Sequence, residues 1–281
     1  INIGPYEPNC RAHWDTDADP MPDDFSFQLW SDDLDRIEDI VADAMERVPV
    51  TGTAGVARII NGPIPYAPDG LPLIGPMPGV RNAFEAHTFT FGIAQGGGAG
   101  KVAAEWIVDG FTEWDMWSCD PRRFTGFESR DYCIAKAKEV YGHEYAIHFP
   151  AHAWPAGRPQ KLSPVHDRVA ALGGQFGAYN GWERANWFST DSCQKEPPQY
   201  EYSWQKQNWF ENSAAEHKHV REKVGVFDQS SFAKFRVQGA DACAVLNVIC
   251  ANNIDVDAGR LVYTQWLNER GGIEADLTVT R

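Results

Sequence analysis

Between residues 33 and 48, Ile37, Ile40, Val41, Ala44, Met45 and Val48 recur at helical spacing, with acids and arginines on the other face. This pattern predicts an amphipathic helix, and Pro49 ends it. The opening residues from Ile1 and the run 55–62 read as strand-like. A turn-rich segment follows with Pro63, Pro65, Pro68-Asp69-Gly70, Pro72, Gly75-Pro76 and Pro78-Gly79. Residues 81–91 alternate as a strand. Gly92 then opens a helix running through Trp106 and Ile107, with Gly110 as its C-cap.

Further along, a helix is expected around Ser129–Tyr141. Ser163-Pro164 reads as an N-cap followed by proline at the first helical position. The aromatic stretch from Gly177 to Trp209 reads as loop, and Ser213-Ala214-Ala215-Glu216 as a capping box. A strand Lys234–Gln238, a helix from about Ala240 to Cys250, and a hairpin complete the pattern. The hairpin joins Leu261–Asn268 to the run after Gly271-Gly272. Helices mixed with antiparallel pairs make the expected class α+β.

Composition narrows the function. A length of 281 residues suits about two domains, and 43% hydrophobic with 23% charged residues is ordinary for a globular chain. The net charge of −14 argues against a nucleic-acid partner, because phosphate binding needs clustered Lys and Arg. The acids from Asp15 to Glu46 read as a solvated face. No apolar run approaches the ~20 residues of a membrane span. Six scattered cysteines (Cys10, Cys119, Cys133, Cys193, Cys243, Cys250) without Cys-x-x-Cys read as free thiols. Cys243 and Cys250 lie on one face of a helix. The start at Ile1 and the stop at Arg281, in mid-pattern, suggest an internal piece of a longer protein.

The candidate chemistry is sparse. His143, His148 and His152 match no standard zinc spacing, so no metal site is expected. No G-x-S-x-G elbow supports a serine hydrolase. Trp182, Trp187, Trp204 and Trp209 read as packing anchors. Gly96, Gly98 and Gly100 suggest a dinucleotide fingerprint, but Lys101 stands where its third glycine belongs. Two readings of Gly92–Gly100 remain. One is tight helix–sheet packing; the other is that residues 88–93 meet a flat, electron-rich cofactor edge at a helix N-terminus. Asp276 on the closing hairpin sits among apolar and β-branched neighbours, where an unpaired buried carboxylate is costly. It is the best single catalytic candidate, able to hold or accept the proton of a bound amine, with a surface acid on an edge strand as the plain alternative.

These residues carry a family resemblance. Gly62-Pro63, Pro68 through Gly75, Gly92-Ile93 and Gly96 through Gly100 resemble the end of a flavin-dependent amine oxidase domain of the D-amino-acid-oxidase class. Asp120-Pro121-Arg122-Arg123-Phe124, Gly157-Arg158 and Gly181-Trp182-Glu183-Arg184 resemble the middle of dimethylglycine and sarcosine dehydrogenases. Val224 through Asp228, Ser230-Ser231-Phe232 and Leu267 through Ile273 with Asp276 resemble an aminomethyltransferase-like folate domain. The resemblance implies three parts: 1–112, the C-terminal part of an FAD domain; 113–162, a connecting domain; and 163–281, the start of the folate domain.

It further implies that FAD oxidises an N-methyl amine, and that tetrahydrofolate captures the one-carbon unit. Thr88, Phe89, Thr90, Phe91, Gly92 and Ile93 would line the flavin's pyrimidine end. Asp276 would position or deprotonate the folate amine, with Tyr263 beside the folate. Where the family often has Gly-Phe-Asn-Ser, this chain has His87-Thr88-Phe89-Thr90, which points to a different amine. The expected partners are a small N-methyl amine and an electron-transfer protein, with neither nucleic acid nor membrane. The expected compartment is the mitochondrial matrix or bacterial cytoplasm. The alternatives are a folate-dependent aminomethyl or methyl transferase without oxidase activity, and a binding module that has lost its cofactor.

Overall fold

The computed structural model describes residues 1–190 and 200–281, and the chain forms two compact units, Ile1–Ser231 and Phe232–Arg281. In the first unit the amphipathic pattern becomes helix α1, Glu38–Arg47, preceded by a 3-10 turn at Asp35–Ile37. Beyond Val48 a second 3-10 turn begins at Pro49, because proline has no N–H to continue the ladder. The strand-like readings at Ile1 and at 55–62 are not realised: both segments are irregular. Among the described residues no strand pairs with them, and a strand is stable only when its backbone groups are paired.

The turn-rich segment instead contains strand β1, Leu73–Pro76. It pairs antiparallel with β2, Phe84–His87, in the register Leu73↔His87 to Pro76↔Phe84. Helix α2, Gly92–Val108, follows, and Gly110 sits just beyond it at φ +75°. One face of α2 sets Ala99 and Val102 against Ile74 as the buried core, with Phe89, Trp106, Met116 and Cys119 packed around them. Gly96, Gly97, Gly98 and Gly100 lie on the exposed side, where an added Cβ would meet nothing within 4 Å. Tight helix–sheet packing is therefore not what these four glycines do in this structure.

Asp120 is the buried anchor of the next turn. Its carboxylate accepts from Arg122 N at 2.8 Å and from Arg122 Nε at 2.9 Å. Burial alone would push Asp120 up, but these bonds hold it below the usual carboxylate range. Helix α3, Arg130–Gly142, starts at Ser129, whose hydroxyl accepts from Tyr132 N at 3.2 Å. Beyond it His143, His148 and His152 gather around Trp154, with ring centroids 4.6–5.4 Å from the indole.

Helix α4, His166–Ala171, begins later than the Ser163-Pro164 reading: Ser163 is buried and its hydroxyl donates to Asp228 Oδ2 at 2.5 Å. Part of the expected loop between Gly177 and Trp209 is strand instead, residues 200–209 are irregular as expected, and 191–199 lie outside the described residues. Strands β3, Gly174–Tyr179, and β4, Trp182–Phe188, form a hairpin around Asn180-Gly181, at φ +48° and +78°. Two residues with positive φ are the signature of a type I′ turn, whose twist matches the flanking strands. Lys161 adds a parallel bridge to Trp182. Arg158 pairs with the buried Glu183, its Nε donating at 2.9 Å. Glu183 in Gly-Trp-Glu-Arg thus joins the segment before residue 163 to the hairpin after it.

Helix α5, Phe210–Glu222, passes through Ser213 without pausing, so the capping box is not formed. Glu216 and Asn212 instead bind the Phe188 backbone at 2.8 Å each, fixing α5 to β4. The strand expected at Lys234–Gln238 is irregular.

The second unit holds helix α6, Ala242–Ile249, and the hairpin of β5, Leu261–Leu267, with β6, Ile273–Thr280. Cys250 is buried just past α6 and accepts from Trp266 Nε1 at 3.2 Å. Cys243 is partly exposed, and both thiols are free; Cys193 lies outside the described residues. Thr264 and Ile254 complete a small core, and Thr264 Oγ1 accepts from Asn252 N at 3.0 Å. Among the described residues, three separate antiparallel pairs set among the helices make the chain α+β. No helix among the described residues is long and apolar enough to cross a membrane.

Candidate functional site

Two surfaces, one in each unit, carry the residues singled out in the sequence. In the first unit, β2 delivers the chain to Thr88, which turns at φ +62°. That conformation crowds the side chain of a β-branched residue. His87 steadies the turn: Nδ1 lies 2.7 Å from Thr88 Oγ1 and Nε2 lies 2.8 Å from Glu85 Oε2. The ring nitrogens of His87 thus bridge the Glu85 carboxylate and the Thr88 hydroxyl, which fixes the hydroxyl's position. Glu85 and His87 were not among the sequence candidates. Their alternation along β2, on one side of a strand that ends just before Thr88, is the signal that could have found them.

Phe89 packs on the core around Val102, Thr90 and Phe91 are half-buried, and Gly92 and Ile93 are exposed, Ile93 fully so. Phe91 is the N-cap of α2 and offers no side-chain cap, and no acid stands in the first turn. Gln95 N bonds Phe91 O at 2.9 Å. The earlier amides of the turn therefore present unsatisfied donors and the positive end of the helix dipole to the exterior. The structure brings Thr88 through Ile93 together as a continuous rim that can pair with a flat, negatively charged group.

In the second unit, strict alternation splits the hairpin into two faces. Val262, Thr264, Trp266, Ala275, Leu277 and Val279 turn inward. Tyr263, Gln265, Asp276 and Thr278 turn outward, in the register Tyr263↔Thr278 and Gln265↔Asp276. Asp276 is thus exposed, not enclosed by its apolar neighbours, and its carboxylate needs no buried partner. Tyr263 lies diagonally across on the same face, within reach of a long side chain. The neighbouring Asp276 carboxylate favours the protonated phenol and pushes Tyr263 above its ordinary range. The pair offers a fixed acceptor and an aromatic face side by side. Among the described residues no group of His, Cys, Asp and Glu could hold a metal ion.

Comparison with known proteins gives these surfaces a context. The family described as FAD dependent oxidoreductase central domain matches residues 109–163, and the GCVT N-terminal domain matches residues 165–281. The chain is 38% identical over 283 residues to the mitochondrial dimethylglycine dehydrogenase of Rattus norvegicus, covering 99% of this chain and 32% of that protein. It is 37% identical over 281 residues to the 4-methylaminobutanoate oxidase (formaldehyde-forming) of Paenarthrobacter nicotinovorans, covering 99% of this chain and 33% of that protein. It is 31% identical over 305 residues to the mitochondrial sarcosine dehydrogenase of Mus musculus, covering 100% of this chain and 33% of that protein. The chain thus spans about a third of the length of the curated relatives it matches.

Proposed function

Because this chain belongs to the dimethylglycine/sarcosine dehydrogenase family, we propose that it is part of a flavin-dependent N-methyl amine dehydrogenase that passes a one-carbon unit to tetrahydrofolate. The observation that carries this reading is similarity over nearly the whole chain, 99% of it at 38% identity, to a protein named for that oxidation. The reading assigns the FAD part to 1–112, the connecting part to 113–162 and the folate part to 163–281.

The residues present fit both cofactors. Thr88 through Ile93 would line the pyrimidine end of FAD, where the uncapped amides of α2 offset negative charge. The Thr88 hydroxyl, held by His87, would fix the orientation of that edge, and Phe89 and Phe91 would exclude water from it. FAD supplies the hydride acceptor for the CH–NH carbon of the amine. On the hairpin, Asp276 would hold or accept the proton of the folate amine, with Tyr263 diagonally beside it on the same face. Tetrahydrofolate supplies the amine that captures the one-carbon unit. The electrons would leave through an electron-transfer protein. The compartment would be the mitochondrial matrix or a bacterial cytoplasm, a reading supported by one relative named mitochondrial and another from Paenarthrobacter nicotinovorans.

The test is made on the protein as its gene encodes it. A yellow protein whose flavin band bleaches anaerobically with N,N-dimethylglycine or sarcosine supports the oxidase. Asp276→Asn should leave that bleaching intact and reduce folate-dependent capture of formaldehyde by roughly 100-fold. A colourless protein that takes up no FAD but binds folate would transfer the assignment to the folate-dependent transferase alternative.

A further inference from the structure

We propose that Tyr6, Tyr66, Tyr141 and Tyr145 form a relay that carries a one-electron oxidising equivalent between the rim at Phe91 and the protein surface, with the carboxylates of Glu7 and Glu144 taking the phenolic protons. Three distant segments meet here. Tyr6 comes from the start of the chain, Tyr66 from the turn-rich segment and Tyr141 from the end of α3, with Tyr145 just beyond it. The start of the chain lies directly on α3: a Cβ at Gly142 would sit 2.9 Å from Pro8 O.

The ring centroids of Tyr6 and Tyr141 are 4.9 Å apart, those of Tyr66 and Tyr141 5.4 Å, and those of Tyr6 and Tyr145 5.1 Å. Rings at such separations touch, so an electron passes between them without crossing aliphatic structure. Tyr6 is the junction. Its ring lies 6.2 Å from that of Phe91 on the rim, and it meets both the half-buried Tyr141 and the exposed Tyr145.

The proton acceptors separate this cluster from ordinary aromatic packing. The Tyr141 hydroxyl donates to Glu7 Oε2 at 2.6 Å, and the Tyr66 hydroxyl donates to Glu144 Oε2. Burial, and then the Glu7 carboxylate, push Tyr141 far above the usual phenol range; burial, and then Glu144, do the same to Tyr66. Both phenols therefore hold their protons at neutral pH. Loss of an electron makes a phenolic O–H strongly acidic, and a carboxylate already in hydrogen-bond contact receives the proton. At Tyr141 the oxidant gains one electron from the ring, the O–H bond breaks, and the proton moves to Glu7. A neutral phenoxyl radical and a carboxylic acid remain. A thiolate in solvent returns the electron through Tyr145, and Glu7 returns the proton. Oxidising equivalents are thereby led away from the rim to a place that solvent reductants reach. The oxidant expected at the rim is a light-excited flavin, which rests on the proposed oxidase; the relay itself can be tested without flavin.

The experiment oxidises the protein as its gene encodes it with photogenerated tris(bipyridine)ruthenium(III), and maps radicals captured by a nitroso spin trap through mass spectrometry. Adducts are expected at Tyr145, Tyr141 and Tyr66. Tyr6→Phe keeps the ring but removes the junction, so the adducts at Tyr141 and Tyr66 should be lost while that at Tyr145 remains. Glu7→Gln should lose the adduct at Tyr141 and spare that at Tyr66. Tyr145→Phe, at an exposed position, should lose both inner adducts, and it tests the relay even if the other variants do not fold. No adduct at Tyr141 in the unaltered protein, or an unchanged Tyr141 adduct in any of the three variants, overturns the relay. A yellow protein bleached by N,N-dimethylglycine that fails these tests loses only the relay. A colourless protein that passes them keeps the relay and loses only the oxidase assignment.

Discussion

Thr88 shows how a single position can report function. At φ +62° it holds a conformation that costs an L-residue roughly 1–2 kcal/mol, and such strain persists where surrounding bonds over-determine it. Here the His87 ring and the paired strand β2 do so. Thr88→Gly should therefore stabilise the first unit by about 1 kcal/mol, measured by urea unfolding. A loss of stability would mean that the bond to His87 outweighs the strain. Asp276 gives the complementary lesson. Ala275, Leu277 and Val279 surround it in sequence but share the opposite face, so its polarity follows from the two-residue period of a strand. Its pairing with Tyr263 was not legible, because it depends on cross-strand register.

At the scale of elements, α1 and α2 follow the sequence closely, since each carries its helical pattern and stop signal within one segment. The β3–β4 hairpin was equally local, with Asn180-Gly181 as its turn, but aromatic density in the surrounding stretch masked it. Gly181 has a second constraint. A Cβ there would lie 2.6 Å from Phe127 Cε2 and 2.9 Å from Lys161 Cε, on a backbone at φ +78°. Gly181→Ala should cost about 2 kcal/mol, from overpacking and backbone strain together. Thermal unfolding checks this, and an unchanged midpoint would show that Phe127 moves freely. The runs 55–62 and 234–238 failed for the opposite reason: their alternation was present, but among the described residues no strand pairs with them. The Ser213 box failed because α5 had already begun at Phe210, which left Glu216 to bind Phe188.

At the scale of the molecule, His152, packed beside Trp154, couples the first unit to pH. Burial, and then the charges of His148 and His143, push His152 below the usual histidine value, with Lys136 acting the same way and Glu139 opposing. The folded state therefore binds fewer protons than the unfolded chain. Stability should be full above the unfolded-state pKa of about 6.5 and fall as pH drops from there to the lower folded-state value. Melting temperatures between neutral and mildly acid pH should show that slope, and His152→Phe should flatten it; an identical slope in the variant would remove His152 as its source. Sequence alone determined the α+β class, the two central helices, the closing hairpin and the family, because helical spacing, terminators and motif order are written along the chain. Only tertiary structure decided which of the other strand-like runs pair, that Glu183 joins Arg158, and that Asp276 faces outward beside Tyr263. Each of those depends on groups far apart in sequence, whose pairing is set by backbone satisfaction and burial in space.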